Sequence, residues 1–196
     1  MKTLLIFLLA ASVFSTACSN NNDNSKERSV KNNDTASKAT VTDNNESKKT
    51  GTVDDIVSAY LNLKNALTSD KGKDAAAAAN EIGAALAKVD ESILPADQKK
   101  IYDDVKDDIK EHAEHIGSNG SDIEHQREHF DLLSKDMIDL VKVTGSSQTL
   151  YKDFCPMYNN KKGASWLSET KEIKNPYYGN KMPKCGQVKE EIKAKG

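Results

Sequence analysis

An all-α, up-down bundle of about four helices, closed by an irregular C-terminal cap, is the fold class this sequence predicts. Three observations lead there. Between Val53 and Val143 apolar residues recur at spacings of three and four, the period of a helix with one buried face. The break between Leu67 and Lys73 and the turn signals at Leu94-Pro95 and Gly117-Ser118-Asn119-Gly120 cut that stretch into four pieces. From Leu150 to Gly186 the pattern stops, and the composition changes. That segment holds the only Trp (Trp166), four of the six Tyr, three of the four Pro, two of the three Cys and two of the four Met.

The N-terminal end is read as processing and tether, outside the fold. Met1-Lys2 supplies a positive start, and Leu4 to Phe14 is an apolar run too short to span a bilayer. Ser15-Thr16-Ala17 then precede Cys18, an arrangement that resembles the lipobox of bacterial lipoproteins, with Ser15 where Leu is usual. Residues 1–17 are therefore expected to be a lipoprotein signal peptide, and Cys18 to carry the lipid. Residues 18–51 are Asn, Ser, Asp, Lys and Thr with almost nothing to bury, and they are expected to be a disordered tether. The folded part is assigned to residues 52–188, and residues 189–196 to a tail. The implied location is a bacterial cell envelope, on the periplasmic side or at the outer membrane, with the membrane contacted through the lipid.

The helices follow in order. The first runs from Thr52 or Val53 to Leu67, with Thr52 and Asp55 in capping-box positions and a stripe of Ile56, Val57, Tyr60, Leu61, Lys64 and Leu67. The second spans about Lys73 to Val89, driven by the run Ala75 to Ala79. The third starts near Pro95 and reaches Ile116, with Ile101, Val105, Ile109, His112 and Ile116 on one face. The fourth is expected to be capped by Ser121 and to run to about Val143, with Ile123, Gln126, Phe130, Leu133, Met137 and Val141 inward. A short turn joins the third and fourth helices. His112, His115, His125 and His129 are thus expected together at one end of a helical hairpin. In the cap, Thr149 to Met157 and Ala164 to Leu167 read as extended, a possible small hairpin, and Val188 to Lys195 as a frayed helix.

Net charge is −2, with 28 basic and 30 acidic residues interleaved, so nothing resembles a nucleic-acid footprint. No nucleophile elbow, phosphate loop or HExxH pattern is present, and the chain is not expected to be an enzyme. Two thiol–thioether pairs, Cys155-Pro156-Met157 and Met182-Pro183-Lys184-Cys185, mark the ends of the cap. Soft sulfur ligands suit copper(I), and thiolates also suit zinc. Cys155, Met157, Met182 and Cys185 are the first-choice ligands, His115 and His129 come next, and His112 and His125 follow. Copper is the preferred ion and zinc the second. The competing reading makes Cys155 and Cys185 a disulfide closing a loop of about 30 residues, worth ~3–4 kcal/mol. The cap would then be a binding module for a protein or glycan. Arg127 and Asn175-Pro176 are expected to be scaffold for the cap.

Several ordered blocks resemble a bacterial family catalogued as domain of unknown function 3347. They are Glu124-His125-Gln126-Arg127-Glu128-His129-Phe130 with Leu133-Ser134, Cys155-Pro156-Met157, Trp166-Leu167-Ser168, Glu172 to Gly179, and Met182 to Gly186. The resemblance runs from about Val53 to Val188. It implies an envelope protein related to domains appended to the adaptor subunits of heavy-metal efflux pumps, and hence efflux components as partners.

Overall fold

The structure, a computed structural model, describes residues 51–195. The expected signal peptide, Cys18 and the tether up to residue 50 lie outside the described residues. Gly51, expected as the end of the tether, belongs to the fold: it is buried, and its N–H donates to Lys88 O at 2.9 Å.

Four helices form the body. They are α1 (Val53–Thr68), α2 (Gly72–Leu86), α3 (Ala96–Ser118) and α4 (Ile123–Thr144). Each packs on the next in sequence, as short connections require. The Asp55 carboxylate accepts the Thr52 N–H at 2.7 Å, which is the capping interaction that the Thr52/Asp55 spacing predicts. α2 stops at Leu86, short of Val89, because Val89 leaves the helix to bridge Gly51. The cap of α4 is Asp122, not Ser121: its carboxylate accepts the His125 N–H at 3.1 Å. Ile56, Tyr60, Leu63 and Leu67 meet Ala79, Ile82, Ile109, Phe130, Leu133 and Met137 in one core. Gln126, fully buried, donates to Gly72 O at 2.9 Å and Ile116 O at 3.1 Å, so one amide ties the starts of α2 and α4 to the end of α3.

The fold is mostly helical but not purely so. The cap contains a three-stranded antiparallel sheet of β1 (Leu150–Cys155), β2 (Ala164–Ser168) and β3 (Gln187–Ile192), ordered β2-β1-β3. The expected hairpin is the β1–β2 pair. The segment read as a frayed helix is β3, because β1 would otherwise present an unpaired edge, and that tertiary demand outweighs the helical propensity of Lys189-Glu190-Glu191. Gly186 makes the turn into β3 at φ 147°, where an added Cβ would stand 2.9 Å from the Trp166 ring. Between β1 and β2 the single turn Tyr158–Lys161 is left-handed, with Asn159, Asn160 and Lys161 at φ 50°, 54° and 67°. Asn tolerates that region better than most side chains.

The sheet packs on α4 and α1 through aromatic residues. Tyr60 stacks on Phe130 at 5.3 Å, Phe130 meets Tyr177 at 5.6 Å, and Tyr177 meets the fully buried Trp166 at 5.8 Å. Arg127 of α4, 1% exposed, is the polar pin. Its guanidinium donates to Pro176 O at 2.8 Å in the cap, to Leu67 O at 3.1 Å at the end of α1, and to Asp70 at 2.5 Å. Asn175 closes the adjoining turn by accepting the Tyr177 N–H at 2.8 Å and the Tyr178 N–H at 3.1 Å. Both residues are the scaffold expected of them.

One buried carboxyl lies in the sheet. Asp153 is fully buried between Trp166 and Val188 across the strands, and neither of its oxygens has a hydrogen-bond partner among the described residues. Burial pushes its pKa up to about 7, with the Lys64 ammonium pulling the other way.

Two outcomes are expected. Arg127→Met leaves two buried carbonyls without donors and should cost about 2–3 kcal/mol in denaturant unfolding, with an early change in Trp166 fluorescence as the cap loosens. For Asp153, the folded state holds its proton to a higher pH than the unfolded chain does. Its stabilisation is therefore complete below about pH 4 and is lost as pH rises toward 7. Asp153→Asn should accordingly raise stability relative to the parent more at pH 8 than at pH 4, read from paired denaturation curves.

Candidate metal centre

The short turn after α3 folds α4 back along it, and this brings all four histidines together. His115 and His129 stack with ring centroids 4.2 Å apart and planes 5° apart. His125 stands edge-on to His129 at 4.6 Å. Nδ1 of His112 lies 3.3 Å from Nδ1 of His129. One ring nitrogen from each of His115, His125 and His129 falls within 4.8 Å of the other two. His115 is exposed and the other three are half-buried, so the cluster opens to solvent. The sequence expectation of four histidines at one hairpin end is met. His112 sits at the edge of the packed face rather than at its centre, because Ala113 takes the buried position.

At His129 and His112 the electrostatics favour the neutral ring. Burial lowers the pKa of His129, and the neighbouring His115, His125 and His112 lower it further, since adjacent imidazoliums repel. His112 is lowered chiefly by burial. Neutral imidazoles are the form that binds metal. Nitrogens bound at about 2.1 Å to one tetrahedral ion stand roughly 3.4 Å apart, so the His112–His129 pair already matches and the other rings need to turn inward by about an ångström.

The cysteines form a separate pair. Cys155, at the end of β1, is fully buried, and Cys185 is half-buried. Both are free thiols with sulfurs 2.7 Å apart. Two thiolates on one zinc at about 2.3 Å would stand roughly 3.8 Å apart, and ligands on opposite sides of copper(I) would stand farther apart still. Burial and the neighbouring Cys155 push the Cys185 thiol up to about 11, which disfavours the thiolate that binds soft metals. Among the described residues, the group of three or more His, Cys, Asp or Glu donors that converges on one point is the three histidines, with neither cysteine in it. Met157 and Met182 lie at the surface, 45% and 37% exposed. The eight predicted ligands thus divide into a histidine cluster on α3 and α4 and a sulfur group in the cap.

Residues that sequence reasoning passed over include Asp131, Asp153 and Tyr158, whose placement depends on the sheet and on the left-handed turn. Along β1 the burial of Leu150, Asp153 and Cys155 follows no strict alternation, so the sequence carried no period-two signal for Asp153.

The spacing of the two sulfurs suits oxidation. Air or a mild oxidant should convert Cys155 and Cys185 to a disulfide, lowering the free-thiol count by two and the mass by about 2 Da. The 30-residue loop should then gain about 3–4 kcal/mol over the reduced chain in urea unfolding.

Among the described residues no helix is long and apolar enough to cross a membrane. No curated protein and no solved structure matches the chain. A family model, described as protein of unknown function (DUF3347), matches residues 56–149. That span runs from Ile56 within α1 through α4, includes Arg127 and the four histidines, and stops before β1. The cap motifs of the expected resemblance lie beyond it. Residues 56–149 thus carry the domain described as protein of unknown function (DUF3347).

Proposed function

We propose that this protein binds a transition-metal ion, copper in the first place, through the histidine cluster of α3 and α4. The observation that carries the reading is the convergence of one ring nitrogen each from His115, His125 and His129 within 4.8 Å, with His112 in contact with His129. An all-imidazole site suits copper(II) and zinc, and copper(II) is held more tightly by a given set of nitrogen ligands. Cys155 and Cys185 serve as a staple of the cap, and Met157 and Met182 are outside the primary ligand set. The role is binding and handling of the ion, not catalysis. The chain is held to an envelope membrane by lipid at Cys18 and exchanges its ion with heavy-metal efflux components.

A second reading has support of its own. The contact between Cys155 and Cys185 favours a disulfide-closed cap that acts as a binding module for a protein or glycan without metal.

Titration of the full chain with copper(II) against a competing chelator separates the two. The expected result is one ion per chain, with nitrogen couplings in the electron paramagnetic resonance spectrum. His129→Ala should weaken binding by about tenfold or more, because His129 touches each of the other three rings. Cys155→Ser should leave the affinity unchanged. With the pKa values of His129 and His112 held below the ordinary histidine range, proton competition at these two rings should set in only as pH falls below about 6.5, and binding should then weaken progressively. No uptake, or equal loss in the His129 and Cys155 variants, would overturn the metal reading. Tighter zinc than copper would overturn the choice of ion.

A further inference from the structure

We propose that Gln126, assisted by Asn119, is the positioning residue of the histidine cluster. It fixes the separation of the α3 and α4 backbones at His115 and His125, and so keeps the cluster in a geometry ready for one ion. This role rests on the metal reading of the same cluster.

The placement follows from neighbours in the chain. Ile116 follows His115 at the end of α3, and Gln126 follows His125 at the start of α4. The Gln126 amide donates to Ile116 O at 3.1 Å. One hydrogen bond therefore spans the hairpin between the chain neighbours of two converging rings. The same amide nitrogen donates to Gly72 O at 2.9 Å, which refers both helices to the start of α2. Gln126 is fully buried. Both acceptors are backbone carbonyls, so the group that meets them must carry two N–H protons. A glutamine supplies them without placing a charge in the core.

The turn holds the rest of the frame. Asn119 Nδ2 donates to His115 O at 2.8 Å, and the Asn119 backbone N–H donates to Ile116 O at 3.3 Å. On the α4 side the Asp122 carboxylate accepts the His125 N–H at 3.1 Å. The turn also lies hard against α2, where a Cβ added at Gly117 would collide with Asn80. Backbone groups at both histidines are thus held, and what remains to move is the rings. Those of His115 and His125 stand 6.1 Å apart at 65° to one another. Closing on an ion then asks for side-chain rotation on a fixed frame, and a frame fixed beforehand lowers the ordering that binding costs. Gln126 supplies no ligand atom, because it acts on the rings through the backbone.

The test uses the full chain and has two readouts. The first is metal-free: the imidazole proton signals of the four histidines by nuclear magnetic resonance at about pH 8. The second is copper(II) titration against a chelator, with the nitrogen couplings of the bound ion. Gln126→Met keeps an unbranched side chain of similar size and removes both donors. It should displace the His115 and His125 signals more than that of His112, alter the nitrogen couplings and weaken copper binding by about tenfold or more. Asn119→Ala, a change at the less buried turn, should displace the His115 signal and weaken binding several-fold. It carries the test if Gln126→Met fails to fold. Tyr177→Phe removes the hydrogen bond to Ser165 O in the cap and should leave the ring signals and the affinity unchanged. A Gln126→Met chain that folds with its ring signals unmoved and its copper affinity intact would overturn the positioning role, and so would an equal loss in Tyr177→Phe. If the parent chain takes no copper while the ring signals still move in Gln126→Met, the metal reading fails and the role of the amide in placing the rings stands.

Discussion

The buried guanidinium of Arg127 is the interaction on which the relation between bundle and cap depends. It lies where the end of α1, the start of α4 and the Pro176 turn meet, and it supplies a donor to a carbonyl from each of the two partner segments. A charge placed in a core is costly unless its hydrogen bonds are complete. Here the backbone carbonyls and the half-exposed Asp70 complete them. Gly179 completes the fit from the other side: at φ 50° it packs its backbone against Asp70 and Arg127, where any Cβ would collide with both. The aromatic stack from Tyr60 to Trp166 then covers the join with apolar surface. Polar pin and apolar stack divide the labour, the first fixing register and the second supplying burial.

How much of this was legible in the sequence varied with the range of the interaction. The four helices were readable because periodicity and capping act within a few residues. Even the burial of Lys64 followed from its place in the α1 stripe, and Glu169 of the cap meets it at 2.7 Å. The histidine cluster was readable because a short turn fixes a hairpin, and a hairpin fixes which residues face one another. The strand β3 was not, since Lys189-Glu190-Glu191 has local helical character and becomes a strand only because β1 offers an edge. Nor was the separation of cysteines from histidines. Nothing in the order of residues gives the distance between a cap and a helix end, and adjacency of Cys to Met in the chain says little about adjacency in space.

The two groups of soft and borderline ligands differ in chemistry as well as position. The cysteines lie close enough to react with each other, under burial that holds Cys185 protonated. The histidines lie partly in solvent, and at His129 burial, with repulsion from the neighbouring rings, disfavours the charged form. A thiol pair partly buried in the cap and an imidazole cluster open to water respond to different variables, redox potential for the one and pH for the other.

The two ends of the described chain meet at a single pole of the molecule. Gly51 bridges Val89 just before α1, the Asp54 carboxylate accepts the Ser147 N–H just beyond α4, and Lys195 bonds to Ser146 O. The histidines sit at the opposite pole, where α3 turns into α4, and the rise of α4 from His125 to Thr144 is about 28 Å. The imidazoles thus stand nearly a full helix length from where the described chain enters and leaves its fold, with His115 open to solvent.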